Sequence, residues 1–225
     1  MILCLETATK NCSVALVNHT GLVGDLEERG EKFVHGERLH VLIQDLLRQF
    51  AVLPNQIEAV CVGKGPGSYT GLRIGVSAAK GLCYAWNIPL VSVSTLECFD
   101  FPITSNGDVV ISVLDARRDE VYAQVWENVS GALIPLDIVK AVILNKDSWT
   151  NYKDRRLFVI GDCAGKVKSL VASNDRWHFL DNCYPSAKAM LQSVQEKSYN
   201  LEDVAYFEPY YLKDFVAEKS KKKWL

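Results

Sequence analysis

The stretch GKGPGSYTGLRIGVSAAKGL, residues Gly63–Leu82, combines a glycine-rich turn with a run of small residues that has helical spacing. It follows the apolar segment Glu58–Val62, whose composition predicts a buried strand. A strand, a glycine-rich turn and a helix together can hold a phosphate at the helix N-terminus. The spacing, however, matches neither the pattern G-x-x-x-x-G-K-[ST] nor the dinucleotide pattern G-x-G-x-x-G. The stretch therefore predicts a strand–turn–helix unit without either of these phosphate loops.

The predicted helix carries glycine and alanine on adjoining faces. Gly71, Gly75 and Ala79 recur every four residues, and a neighbouring face contains Ala78 and Gly81. Glycine inside a helix costs up to about 1 kcal/mol relative to alanine, so these positions need a compensating benefit. Close approach of another backbone is such a benefit. The approaching backbone can belong to this chain or to a second chain, and the sequence leaves both alternatives open.

The remaining segments predict an α/β fold with two related halves. One run with i, i+3, i+4 spacing predicts an amphipathic helix over His35–Ala51. A turn-rich segment, Asp100–Gly107, separates the halves, so we expect lobes at residues 1–100 and 101–225. The first three expected strands, joined by tight turns, predict an antiparallel meander. The expected strands are Ile2–Glu6, Cys12–Val17, Gly21–Glu28, Glu58–Val62, Pro89–Ser94, Val109–Ala116, Glu120–Trp126 and Arg156–Asp162, and the expected second-half helix is Pro185–Glu196.

Composition argues against several classes of protein. The 225 residues carry a formal net charge of -2 and are 48% hydrophobic, which is ordinary for a globular protein and unlike a strongly basic nucleic-acid binder. No apolar run approaches the ~20 residues that span a bilayer, and the N-terminus lacks a secretory signal, so we expect no membrane association and a cytoplasmic location. Seven scattered cysteines without a C-x-x-C pair predict buried, reduced thiols rather than structural zinc.

Four stretches carry a family resemblance: ILCLETAT, GPGSYTGLRIGVSAAKGL, LDARRDEVY and PYYLKDFV. Through them most of the chain resembles the TsaB (YeaZ) family, although the region Leu133–Gln195 matches weakly. The resemblance implies two actin-like, ribonuclease-H-like lobes of the ASKHA superfamily, which includes sugar kinases, Hsp70 and actin. It also implies a part in making the threonylcarbamoyladenosine base of tRNA, as the non-catalytic paralogue of the transferase TsaD.

The partners implied by the resemblance are TsaD and the ATPase TsaE, with tRNA engaged indirectly through the complex and a homodimer when the chain is alone. In this family, pairing uses the helices of the first lobe. Any ATP or ADP belongs at the joint between subunits, and no tightly bound cofactor is implied. We therefore expect the two predicted helices to form the interface, and we expect Gly75→Leu to block pairing while leaving the fold intact. The expected interface residues are Arg38, His40, Val41, Asp45, Gly71, Arg73, Gly75, Ala78, Ala79 and Lys80.

The histidines argue against a metal-dependent enzyme. Catalytic relatives hold a metal with H-x-x-x-H after the strand that corresponds to Pro89–Ser94, where this chain has no histidine. His35 and His40 are five residues apart, a spacing that does not place both on one helix face. We therefore expect no catalytic residue and no metal ligand. The alternatives that stay open are a stand-alone ATP-binding kinase or ATPase, and an M22-type metallopeptidase of the same fold.

Members of the superfamily hold Mg-ATP with an acidic residue and hydroxyl groups in the first hairpin. This chain has Glu6 there, but Ala8 stands where the loop favours glycine. A side chain at such a position crowds the approach of a phosphate, so independent ATP hydrolysis is not expected. Glu6 has an alternative role as a strand-end carboxylate bonded to nearby backbone N–H groups. The residues expected near any phosphate are Glu6, Thr7, Thr9, Gly65, Gly67, Ser68 and Asp115.

The end of the chain is basic, with Lys219 and Lys221–Lys223 close together. Chain ends of this kind are commonly solvated. In a tRNA-modifying assembly the same lysines can add phosphate contacts that weaken with salt. Both roles stay open from the sequence.

Overall fold

A six-stranded mixed sheet organises the first lobe of the computed structural model, which describes residues 1–30 and 34–213. Strands β1 (Ile2–Glu6), β2 (Asn11–Asn18) and β3 (Gly21–Arg29) form an antiparallel meander, which confirms the prediction for this segment. β3 lies at one edge of the sheet and β1 lies inside it. The meander therefore places the end of β1 close to the centre of the lobe.

Two helices belong to the first lobe. Helix α1 (His35–Gln49) follows the meander, and helix α2 (Tyr69–Trp86) connects β4 (Ala59–Gly63) to β5 (Leu90–Val93), so that β1, β4 and β5 run parallel. Burial of the apolar helix faces against the strands forms the main core. That core includes Leu3, Leu5, Val14, Leu16, Leu39, Leu42, Leu46, Val60, Val62, Val76 and Leu90. Neither these helices nor any other helix of the described residues is long and apolar enough to span a bilayer.

A second six-stranded sheet begins at β6 and repeats the hairpin start of the first. Its elements are β6 (Val109–Asp115), β7 (Glu120–Val129), β8 (Ala132–Pro135), β9 (Lys140–Ile143), β10 (Leu157–Gly161), helix α3 (Ala164–Leu170) and β11 (Trp177–Leu180). The strand order is β11-β10-β6-β7-β8, and β9 also pairs with β7. Apolar side chains of both halves meet in a shared cluster, which includes Leu96, Phe99, Val110, Leu114, Trp126, Phe158 and Ile160. The predicted α/β class with two lobes is therefore confirmed.

The end of the chain returns to the first lobe, which corrects the predicted division at residues 100 and 101. A 3-10 helix (Ala187–Met190), helix α4 (Leu191–Gln195) and strand β12 (Asn200–Glu202) follow β11, and β12 pairs antiparallel with β5. The first sheet has a second apolar face, and the returning segment covers it. This face and its cover comprise Cys4, Ala15, Val17, Cys61, Val91, Val93, Ala187, Met190 and Val194. The first lobe is thus discontinuous in sequence.

The helix expected over Pro185–Glu196 is divided into the 3-10 helix and α4. Ser186 still has an extended backbone, so the helical part begins only at Ala187. The basic residues 214–225, with their expected phosphate contacts, lie outside the described residues.

Helix α2 lies close against the turn between β1 and β2, and its glycines make this possible. A Cβ atom on Gly71 would lie 2.1 Å from the carbonyl oxygen of Thr7, and one on Gly75 would lie 2.2 Å from Thr7 Oγ1. The same Oγ1 donates a hydrogen bond to the Gly71 carbonyl oxygen over 2.8 Å. Ser68 caps the helix start, since its Oγ accepts from the Gly71 N–H. The backbone that approaches these glycines therefore belongs to this chain.

Four residues expected at a partner interface are buried inside this chain, so the expectation is wrong for them. They are Gly71, Gly75, Ala78 and Ala79. The two glycines face Thr7, and the two alanines lie in the main core. A leucine at position 75 would collide with Thr7, so Gly75→Leu is expected to disrupt the fold as well as any pairing. Gly81 differs, because nothing lies within 4 Å of the position of its Cβ.

We expect Gly75→Ala to lower the free energy of unfolding by about 1–3 kcal/mol, because the added methyl group meets Thr7 in a closely packed region. At the open position of Gly81 we expect Gly81→Ala to raise the free energy of unfolding by up to about 1 kcal/mol, because only the helix propensity changes there. Urea denaturation of both variants measures the two effects. Equal stabilisation by both substitutions would contradict the packing of α2 on Thr7.

Candidate functional site

The residues of the first lobe that were expected near a phosphate lie together at the carboxyl ends of β1 and β4. The Ser68 N–H donates to the Ala8 carbonyl oxygen over 2.7 Å, which joins the glycine-rich turn to the first hairpin. A Cβ atom on Gly67 would lie 2.6 Å from the same carbonyl oxygen. The Gly65 N–H donates to Thr95 Oγ1 over 3.1 Å. The structure thus gathers Glu6, Gly65, Gly67 and Ser68 around this turn. Of the other two expected residues of this lobe, Thr7 contacts α2, and the Thr9 carbonyl oxygen lies 2.7 Å from His35 Nε2 of α1.

Asp115 lies at the end of β6 in the second lobe and contacts residues of that lobe. Its carboxylate accepts from Lys166 Nζ at 2.5 Å and from the Arg117 N–H at 3.2 Å. Its own N–H donates to Asp162 Oδ1 at 3.0 Å. Burial raises the pKa of Asp162 to about 6, although that hydrogen bond acts in the opposite direction. The acidic group of the second lobe is therefore held in a local ion-pair and hydrogen-bond network.

Glu6 is completely buried at the end of β1. Its Oε1 accepts from the Ala8 N–H at 2.6 Å, and Thr95 Oγ1 donates to its Oε2 at 3.4 Å. A Cβ atom on Gly63 would lie 1.9 Å from Oε2, so the carboxyl group occupies the space beside that glycine. The alternative role proposed for Glu6, a strand-end carboxylate bonded to a nearby backbone N–H, is confirmed.

The glycine-rich turn is filled by side chains of its own chain. Glu6 covers Gly63, and Ala8 abuts Gly67. A phosphate needs close approach to backbone N–H groups, and these two side chains stand in that approach. The geometry of the turn therefore suits tight intramolecular packing better than the binding of a nucleotide.

The surroundings of Glu6 favour its neutral form. Burial raises the pKa of its carboxyl group to about 7, while hydrogen bonds from Ala8, Thr7 and Thr95 act in the opposite direction. Cys98 contacts the same carboxyl group, and burial also raises the pKa of its thiol. A carboxyl group whose pKa differs between the folded and unfolded chain makes stability depend on pH.

Metal-ligating residue types are present but dispersed. Within residues 1–30 and 34–213, no three histidine, cysteine or acidic side chains are arranged to hold a metal ion. His35 is buried, with Nε2 at 2.7 Å from the Thr9 carbonyl oxygen, and His40 is exposed, so the two histidines lie in different surroundings. All seven cysteines are free and six are buried, which confirms the prediction of buried thiols.

The charged interface candidates of α1 have partners within this chain. Arg38 Nε lies 2.6 Å from Glu28 Oε2 on β3, and Asp45 lies 3.5 Å from Arg48 on the next turn of the helix. Of the other two α1 candidates, His40 is exposed and Val41 is half-buried. Among the four α1 candidates, therefore, His40 and Val41 keep an accessible position without a salt bridge in the structure.

The cations of α2 bind residues 203–211, which we name the C-terminal strap. Lys80 Nζ donates to the carbonyl oxygens of Ala205 and Phe207 over 3.1 and 3.0 Å. Arg73 Nε donates to the Tyr211 hydroxyl oxygen over 3.1 Å. Arg73 and Lys80, which were expected at a partner interface, thus make hydrogen bonds inside the chain, and their contact with a partner stays a prediction. Sequence reasoning missed the strap since the contacts join residues 125 to 138 positions apart, and the stretch PYYLKD was its sole signal.

We expect the stability of the chain to fall between pH 4.5 and 7, because the pKa of Glu6 rises from 4.5 in the unfolded chain to about 7 in the fold. The folded state then binds more protons than the unfolded state across this window, and the loss amounts to about 3 kcal/mol. Glu6→Gln keeps an uncharged group of similar shape, so the variant gains stability over the wild type as pH rises. Urea denaturation at pH 5 and pH 8 measures the difference. A difference that does not change with pH would contradict the prediction.

Comparisons with known proteins find relatives of this chain in sequence and in structure. A family model described as TsaD: tRNA N6-adenosine threonylcarbamoyltransferase matches residues 32–143, about half of the chain. TsaB of Escherichia coli (strain K12), a tRNA threonylcarbamoyladenosine biosynthesis protein, is 37% identical over 54% of this chain and 52% of its own length. The protein of the same name from Haemophilus influenzae is 33% identical over 54% of this chain and 51% of its own length. In these alignments the chain spans about half the length of the curated relatives it matches.

Longer matches cover almost the whole chain. TsaB of Buchnera aphidicola subsp. Acyrthosiphon pisum is 24% identical over 90% of this chain and 95% of its own length. The solved structure of YeaZ from Pseudomonas aeruginosa has a TM-score of 0.77 at 24% identity, with 94% of this chain and 99% of that chain covered, which establishes the shared fold. In sequence the chain is thus similar to proteins named TsaB, and in fold it is similar to YeaZ.

Proposed function

We propose that this chain is a non-catalytic subunit in the biosynthesis of threonylcarbamoyladenosine in tRNA. It pairs with a TsaD-type transferase and a TsaE-type ATPase, and it meets tRNA only through that complex. The observation that carries the proposal is the packing of Glu6 against Gly63 and of Ala8 against Gly67, which hinders the approach of a phosphate to the backbone there. The relatives from Escherichia coli and Haemophilus influenzae are named for this biosynthesis, which supports the same pathway for this chain.

The accessible face of α1 and α2 is the surface that we assign to pairing, and we call it the helix face. It includes His40 and Val41 of α1, and Gly81 of α2 lies open on it. A helix position without a side chain lets another backbone approach closely, as Gly71 does for Thr7 inside the chain. In the absence of a transferase, the same face serves a homodimer, which is isologous because both copies offer identical helices.

Depletion of this protein in its own cells is expected to lower the ratio of threonylcarbamoyladenosine to adenosine in tRNA, because the transferase loses its supporting subunit. Mass spectrometry of tRNA nucleosides measures the ratio, and re-expression of the wild-type chain restores it. An unchanged ratio after depletion would reject the pathway. ATP turnover by the purified chain alone that disappears in Glu6→Gln would reject the non-catalytic role.

We expect Gly81→Leu to weaken association with the cognate TsaD-type subunit by tenfold or more, because a bulky side chain closes the open position on the helix face. A tenfold loss corresponds to about 1.4 kcal/mol of binding free energy. Gly81→Ala is the matched control, since it adds helix propensity with little bulk and leaves association intact. Light scattering and pull-down assays report association, and urea denaturation confirms that both variants fold. Equal affinity of the leucine variant and the wild type would refute the assignment of Gly81 to the interface.

A further inference from the structure

The C-terminal strap is fixed to the first lobe at several points along its length. Val204 and Phe207 pack against the main core. The Tyr210 N–H donates to the Lys64 carbonyl oxygen over 2.8 Å, next to the glycine-rich turn. Lys80 adds two hydrogen bonds from α2 to strap carbonyl oxygens. The strap therefore has a defined position on the lobe, although it contains neither helix nor strand.

Tyr206 stands on the best-fixed part of the strap and yet projects into solvent. The carbonyl oxygens of its two neighbours, Ala205 and Phe207, both accept from Lys80. Asp203 Oδ1 accepts from the backbone N–H groups of Ala205 and Tyr206 at 2.8 and 3.1 Å. The Tyr206 side chain nevertheless remains 84% exposed. An exposed ring on a fixed backbone loses little further freedom on binding, which favours affinity.

Tyr84 provides a second exposed ring next to the same lysine. It follows Lys80 by one helical turn on α2 and is 85% exposed. Tyr84 and Tyr206 are the most exposed tyrosines of the described residues. Tyrosine is enriched among the residues that dominate binding energy at protein interfaces, because its ring buries a large apolar area and its hydroxyl group keeps a hydrogen bond. Two such rings beside Lys80 therefore mark a protein-binding surface.

The dimensions of the helix face also call for an extension. Helix α2 has 18 residues and is about 27 Å long, and two adjacent helices are together about 20 Å wide. They offer roughly 500 Å² of face, whereas a stable interface covers about 800 Å² on each partner. The strap lies directly beside α2, and Gly81 adjoins Lys80 in the sequence, so the two surfaces are continuous.

We propose that the C-terminal strap is part of the partner-binding surface, with Tyr84 and Tyr206 as aromatic anchors and a TsaD-type subunit as the occupant. This inference rests on the proposed function and extends its helix face. The match to the TsaD family model ends at residue 143, so the strap lies outside the matched segment.

The test uses the full-length chain and its cognate TsaD-type subunit, with affinity measured by titration calorimetry. Tyr84→Ser and Tyr206→Ser are each expected to weaken association about tenfold or more, because each removes a ring from the contact. Ile138→Ser is the matched control, since it removes a 76% exposed apolar side chain between β8 and β9 in the second lobe. Thermal unfolding should be unchanged in all three variants, because the rings contribute little to the folded chain.

Lys80→Met tests the role of the strap itself. The variant loses both hydrogen bonds to the strap, so hydrogen exchange over residues 203–211 should rise while exchange in the first sheet stays low. Association should weaken as well, because Tyr206 is no longer held in position. Unchanged association in Lys80→Met despite a mobile strap would overturn the proposed contribution of Tyr206.

The outcomes separate this inference from the proposed function. If Gly81→Leu blocks pairing and the double variant Tyr84→Ser/Tyr206→Ser binds as tightly as the wild type, only the extension is overturned. If the tyrosine variants weaken the homodimer and leave the pair with the TsaD-type subunit unchanged, the proposed occupant is overturned. If the wild-type chain does not associate with that subunit at all, the proposed function itself fails.

Discussion

The contact between Thr7 and the glycines of α2 is the constraint on which the rest of the structure depends. Thr7 donates to the Gly71 carbonyl oxygen and takes the place that a side chain at Gly75 would fill. This contact sets the distance between α2 and the first sheet, because a larger residue in place of Gly71 or Gly75 would push the helix away from Thr7. It also brings the glycine-rich turn against the first hairpin, so that Glu6 and Ala8 can pack into it. One threonine thereby determines both the inner packing of α2 and which of its faces stays accessible.

The same packing bears on the role that we propose for the lobe in an assembly. A turn that accepts side chains from its own hairpin becomes rigid, and it no longer offers its backbone N–H groups to a phosphate. Rigidity is an advantage for a subunit that presents a pair of helices, because little freedom is lost when a partner binds. In the second lobe the strand-end carboxylate also has a partner within the chain, since Asp115 forms an ion pair with Lys166 at 2.5 Å. In the assembly that we propose, the reacting groups belong to the partner.

Local patterns predicted the first lobe well, because the meander and α1 follow from periodicity within short windows. The small residues of α2 also predicted that a backbone approaches Gly71 and Gly75 closely. A missing side chain does not reveal what fills the space, so the sequence could not decide whether that backbone belongs to this chain or to a partner. The role of Glu6 depended on the direction of its side chain, which no sequence pattern encodes. The return of the chain was missed because β12 has three residues and pairs Asn200 with Ser92, far from it in sequence.

That return has a consequence for how the protein is made. Strand β5 gains its outer neighbour only when β12 has been synthesised, and the apolar face around Val91 is covered only by the segment from Ala187 onward. During translation the first lobe therefore emerges with an unpaired strand edge and an uncovered apolar face, both of which invite aggregation. The second lobe is completed earlier than the first, although it begins later. The first sheet is therefore complete only after Glu202 has emerged from the ribosome.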